Sequence, residues 1–122
     1  MKQIHKQRLL NVAKACRETA HPAAFTMFYF GHDCGTPACA MGNYAFRRDL
    51  QRTFILRGQD VLTKASDSDL RTWIDMRVHF GITEAETVEL FDTDGCGGAE
   101  THEQAATYIE KFVVKRCMGD SA

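Results

Sequence analysis

A chain of 122 residues can bury one hydrophobic core and is too short for two. Its apolar fraction of 44% and charged fraction of 25% are those of a globular domain, which excludes disordered and fibrous classes. The formal net charge of −1 provides no global attraction for a polyanion. Charge is nonetheless unevenly placed. Residues 1–60 carry nine Lys/Arg against four Asp/Glu, and residues 61–122 carry six against twelve. Such a split predicts complementation within the fold, a dimer contact or one basic face. No run approaches the roughly 18 uncharged apolar residues of a membrane span, and residues 1–10 are too charged for a signal peptide's apolar segment. With five Cys and no export signal, the expected compartment is the reducing cytoplasm, where thiols stay free or bind metal.

Ile4, Leu9, Val12, Ala13, Cys16 and Ala20 recur at helical spacing with Lys6, Arg8, Lys14 and Arg17 between them. The first element is therefore an amphipathic helix, stopped by Pro22. The β-branched and aromatic run over residues 25–30 is too short for a helix and reads as a buried extended segment or one short strand. A turn follows over residues 31–35, and Thr36-Pro37 then has the capping hydroxyl and first-turn proline of a helix start. Ala38, Met41, Gly42, Ala45 and Phe46 form a small-residue stripe opposite a polar face holding Arg48 and Arg52, so this is the expected central helix.

After a break at Gly58, Ser66, Asp67, Ser68 and Asp69 offer caps for a helix burying Leu70, Trp73, Ile74, Val78 and Phe80, closed by Gly81. Thr83 with Glu86 has capping-box spacing and opens a short helix carrying Val88, Leu90 and Phe91. Residues 92–100 form a Gly-rich loop. Thr101 with Gln104 repeats the box spacing, and Ala105, Ala106, Ile109, Phe112 and Val113 line the inner face of the last helix. The expected fold is mainly α. It is a single compact domain over residues 1–122 with about five helices and at most a short strand near 25–30.

Polar chemistry gathers in two loops, residues 32–39 and 92–98. The motif Cys34-Gly35-Thr36-x-x-Cys39-x-x-Gly42, with Gly81-Ile82-Thr83 running to Leu90-Phe91 and Thr101-x-Glu103-Gln104-Ala105-Ala106, resembles a family of small bacterial and phage proteins. Asn43 stands where that family often has His or Trp. The match spans roughly residues 25–113, and what it implies is a shared fold and no mechanism.

Four chemistries are open to these loops. Cys34 near a helix start could be an acidified nucleophile, with His32, His79 or His102 as base and Asp33 or Asp94 orienting it. The competing reading is that Cys34 and Cys39 are small buried residues packing a tight turn. His32, Cys34, Cys39 and Cys96 supply the N and S donors of a zinc site, although a second ligand pair is missing. Asp92, Asp94 and Glu103 take the first, third and twelfth positions of an EF-hand-like calcium loop, with Gly97 sixth and Glu100 ninth. Cys96 then stands fifth, where an oxygen donor belongs. Arg47, Arg48, Arg52 and Arg57 with Tyr44 and Phe46 could present a basic, aromatic-edged face to nucleic acid.

The expected function is binding, as a small cytoplasmic regulatory or accessory module that uses no cofactor and meets a protein partner or a second copy of itself, not a membrane. A cysteine-dependent hydrolase or transferase using Cys34 is the alternative. Weak calcium binding over residues 92–103 is a further one.

Overall fold

The computed structural model describes residues 1–63 and 69–120. It is mainly helical, with α1 at Gln3–Arg17, α2 at Ala40–Phe46, α3 at Asp69–Phe80, α4 at Glu84–Phe91 and α5 at His102–Asp120. The small sheet is one antiparallel hairpin, β1 at Phe54–Arg57 and β2 at Asp60–Thr63, with Phe54 opposite Thr63 and Arg57 opposite Asp60. Gly58, at φ +56, opens its two-residue turn in the left-handed region where a side chain would be strained.

The helical stripes account for most of the core. Leu9, Val12, Ala13 and Cys16 of α1 pack against Ala105, Ala106, Ile109, Phe112 and Val113 of α5, while Phe91 and Phe80 stack with centroids 5.3 Å apart. The box at Thr83 closes in both directions, since Thr83 Oγ1 accepts from the Glu86 N–H and Glu86 Oε1 accepts from the Thr83 N–H. At α5 the reciprocal bond slips by one residue. Thr101 Oγ1 accepts from the Gln104 N–H, and Gln104 Oε1 accepts from Glu100.

Several expectations are corrected. α1 ends at Arg17, so Ala20 lies outside it, and Pro22 opens a short 3-10 turn over Pro22–Ala24. The residues 25–30 form no strand: Phe25 and Met27 are buried, but Phe28 and Tyr29 are 66% and 50% exposed. The strands are at the hairpin instead, where Gly58-Gln59 separates two β-rich tetrads.

Helix α2 starts at Ala40, not at Thr36, and stops at Phe46, so Arg48 and Arg52 are not on it. The face of α3 is rotated from the expected one. Thr72, Met76, His79 and Phe80 are buried, whereas Ile74 and Val78 are exposed and Trp73 is partly buried. Polar Thr72 and His79 disguised the true inner face. They are tolerated inside because Thr72 Oγ1 donates to the Val61 carbonyl and His79 bonds Tyr44. The capping candidates Ser66, Asp67 and Ser68, with the side chains of Asp69 and Leu70, lie outside the described residues.

Gln51 has no counterpart in the sequence reading. Its buried Nε2 donates to the carbonyls of Tyr44, Ala45 and Phe54, and its Oε1 accepts from the Phe54 N–H at 2.7 Å. One amide thereby closes the end of α2 and anchors the start of β1.

Candidate functional site

The Cys-Gly-Thr-x-x-Cys-x-x-Gly motif builds a folded-back loop. The Phe30 carbonyl accepts from the Ala38 N–H, Tyr29 accepts from Cys39, and the Thr36 carbonyl accepts from His32 at 2.9 Å. Gly35, at φ +90, makes the reversal. Cys39 is the cap of α2, with its Sγ accepting from the Gly42 N–H at 3.4 Å and Asn43 Nδ2 donating to its carbonyl at 2.9 Å. The loop lies so close to α2 that a Cβ on Gly42 would meet the Phe30 oxygen at 1.6 Å. The small residue is needed for the approach of a loop, not of another helix.

The two motif thiols have opposite environments. Cys39 is buried, and desolvation pushes its pKa up to about 11. Cys34 is exposed, which corrects the expectation that it packs inside the turn. Its Sγ lies 3.2 Å from Thr36 Oγ1, and that hydrogen bond lowers its pKa.

No described histidine bonds this thiol. The His32 Nε2 meets the Ala24 carbonyl at 2.9 Å, His102 Nδ1 meets the Cys16 carbonyl at 2.9 Å, and His79 Nε2 meets Tyr44 Oη at 2.7 Å. Asp33 accepts from Gln59 Nε2 at 2.9 Å rather than from a ring. The structure thus supplies an acidified, accessible thiol without an adjacent base.

The second loop folds as a tight left-handed turn. Cys96, Gly97 and Gly98 have φ of +55, +68 and +76, and the Cys96 thiol points in to donate to the Leu90 carbonyl at 3.3 Å. Burial, with Cys39 and Glu89 nearby, pushes Cys96 up to about 12. Burial also raises Cys16, whose thiol feels both Cys96 and Cys39. The structure therefore brings Cys39 and Cys96 together with Cys16 as inert core thiols, while Cys34 stands exposed.

Asp92 Oδ1 accepts from the Thr93 N–H, and the Asp92 and Asp94 carbonyls accept from Gly95 and Gly98. Glu103 is exposed in the first turn of α5. Among the described residues, no three His, Cys, Asp or Glu side chains converge where they could hold a metal ion. That covers both the zinc set (His32, Cys34, Cys39, Cys96) and the calcium set (Asp92, Asp94, Glu103).

Two of the arginines are engaged within the fold. Arg47 pairs with Glu18 at 2.8 Å and Asp49 at 2.7 Å, Arg48 Nη1 donates to the Phe54 carbonyl at 2.6 Å, and Arg57 closes β1. Charge complementation is visible elsewhere, in the ion pair of Arg17 on α1 with Glu110 on α5.

Between the two loops lies a cavity of about 220 Å³. Its walls are Tyr29, Phe30 and Trp73, with Cys39 and Phe91 also in the lining, and Phe30 and Trp73 have centroids 6.2 Å apart at 48°. Asp60 from β2 and Asp92 from the end of α4 add carboxylates, and no Lys, Arg or His lines it. Neither carboxylate forms an ion pair among the described residues. Of these, sequence reasoning singled out Cys39 and Asp92 for other roles. It missed the pairing of the exposed aromatics with Trp73 and Asp60, which come from separate elements. No known protein family, curated protein or solved structure matches the chain. Among the described residues no helix is long and apolar enough to cross a membrane.

Proposed function

We propose that this chain is a small cytoplasmic binding module of the regulatory or accessory kind, which recognises a protein partner by taking one of its Lys or Arg side chains into the cavity of Trp73 and Phe30. The observation that carries the reading is a cavity with aromatic walls, two carboxylates and no basic residue, bordered by the exposed rings of Phe28 and Tyr29. A cation over an aromatic face is stabilised by about 0.5–2 kcal/mol, more as it is desolvated. Two nearby carboxylates add to that attraction and reject anions. Exposed aromatics beside the cavity supply the rigid apolar area on which protein interfaces concentrate their energy. A volume of about 220 Å³ suits one side chain better than a drug-sized ligand, whose pockets start near ~300 Å³.

Trp73 is the one tryptophan of the chain, so its fluorescence reports on this site alone. Short peptides containing Arg or Lys should quench or shift it saturably, and the same peptides with citrulline or acetyl-lysine should not. Asp60→Asn with Asp92→Asn should weaken the response about tenfold, the scale of one lost charge-assisted contact. An equal response to the neutral peptides would remove the reading.

A second reading has one observation in its favour, the hydrogen bond that acidifies exposed Cys34. As the nucleophile of a hydrolase or transferase, Cys34 needs a base that the partner or substrate would have to bring.

A further inference from the structure

A separate cavity of about 400 Å³ opens where α1, the hairpin and the end of α3 meet. Arg8 reaches it from α1, Arg52 and Thr53 from the approach to β1, Thr63 from the end of β2, and Asp75, Val78 and His79 from α3. The volume lies in the range of small-molecule sites.

Its polar groups are unevenly satisfied. Among the described residues, Arg8 makes one side-chain hydrogen bond, from Nη1 to the His79 carbonyl at 2.9 Å, which leaves the rest of its fork unused. Arg52 makes no ion pair or hydrogen bond with a described residue, although it is the neighbour of Thr53 in the same lining. Asp75, the one carboxylate of the lining, is turned to the hairpin and accepts from Thr63 Oγ1 at 3.0 Å.

The cavity's histidine cannot neutralise a ligand's charge by itself. Its Nε2 is held by Tyr44 Oη at 2.7 Å, and the Phe54 and Phe80 rings stand edge-on to it at 5.0 and 4.9 Å. Burial first, and then the charge of Arg8, hold both His79 and His5 below their ordinary pKa, so Arg8 acts on this region as a nearby cation. Two guanidiniums that make no ion pair with a described residue line one cavity of ligand size, and a guanidinium fork suits a carboxylate or a phosphate.

We propose that this cavity is a binding site for a small organic anion, held through a carboxylate or phosphate group by Arg52 and Arg8, with its body along Val78 and Thr53. The site is independent of the aromatic cavity and of the function assigned to that cavity. Arg52 is the specificity-determining residue, because Arg8 is also spent on the end of α3.

Calorimetric titration of the full chain at constant ionic strength, set with NaCl, tests the site with phenyl phosphate, benzoate and neutral benzamide. Phenyl phosphate or benzoate should bind saturably, and the tighter of the two identifies the anionic group the site prefers. Benzamide should bind at least about tenfold more weakly, the scale expected when a charge-assisted pair is lost. Arg52→Gln is on an exposed side chain and leaves the core intact, so it should lose about the same factor without moving the melting temperature. Arg52→Lys, which keeps charge and loses the fork, should fall between. Benzamide binding as tightly as the anions, no binding by either anion, or an Arg52→Gln protein that binds them unchanged would overturn the assignment.

Discussion

The two cavities share α3 and the hairpin, yet they present opposite chemistry. Trp73 of α3 and Asp60 of β2 face the aromatic cavity, whereas His79 of α3 and Thr63 of β2 face the one that holds Arg8 and Arg52. A helix puts residues about 100° apart around its axis, so α3 can serve two neighbours with unlike groups. The charge split of the sequence does not predict this sorting. Asp60 comes from the basic half and Asp92 from the acidic half, and they meet only through the fold. The charge of each cavity is the local imbalance that remains after ion pairs such as Arg47 with Glu18 and Asp49 have consumed the rest.

The most damaging single change should strike the aromatic side. Gly42→Ala drives a Cβ into the Phe30 carbonyl, and a backbone atom cannot turn aside as a flexible side chain can. We expect a loss of about 3–4 kcal/mol, read by urea denaturation, together with loss of the Trp73 response. A Gly42→Ala protein as stable as wild type would show that the loop does not lie on α2 as described.

The basic side should instead show itself in pH. Burial first, then Arg8 and His5, lower His79 from 6.5 to about 4. The unfolded chain then binds this proton more readily than the folded one, so stability is full above about pH 6.5 and falls as pH drops towards 4. The span corresponds to about 3 kcal/mol at most. Denaturation midpoints at pH 7 and pH 4.5 should differ markedly in wild type and less in His79→Gln. An unchanged pH slope in the variant would assign the acid sensitivity to other groups.

Gln51→Ala loosens the join between the end of α2 and the start of β1. It removes the partner of the buried Phe54 N–H and one donor from each of three carbonyls, of which Phe54 keeps Arg48 Nη1 and Tyr44 keeps the Arg47 N–H, at a cost of about 2 kcal/mol. Gln51→Glu should not restore the loss, because a carboxylate cannot donate to carbonyls.

The smallest effect is expected at the exposed motif thiol. Cys34→Ser should change stability by no more than about 0.5 kcal/mol. Iodoacetamide at pH 7 should label Cys34 well ahead of buried Cys16, Cys39 and Cys96. Labelling of Cys39 or Cys96 first would contradict their placement in the core.

The sequence by itself determined the helical class, the inner face of α5, that of α1 from Leu9 onward (Ile4, expected inside, is exposed), and the Thr83–Glu86 box. Each depends on residues within a few positions of one another, where spacing and geometry are the same thing. It also marked Cys34 through Gly42 as a unit. Only the tertiary structure decided what that unit does, since the atom that requires Gly42 is the carbonyl of Phe30, twelve positions earlier. The same holds for α3, whose inner face its own periodicity does not reveal, because Thr72 and His79 become acceptable inside only when Val61 and Tyr44 arrive to bond them. Both cavities, likewise, are assembled from side chains as far apart as Tyr29 and Thr93 or Arg8 and His79. A spacing rule reads neighbours along the chain, and the burial, pairing and leftover charge that make a site belong to neighbours in space.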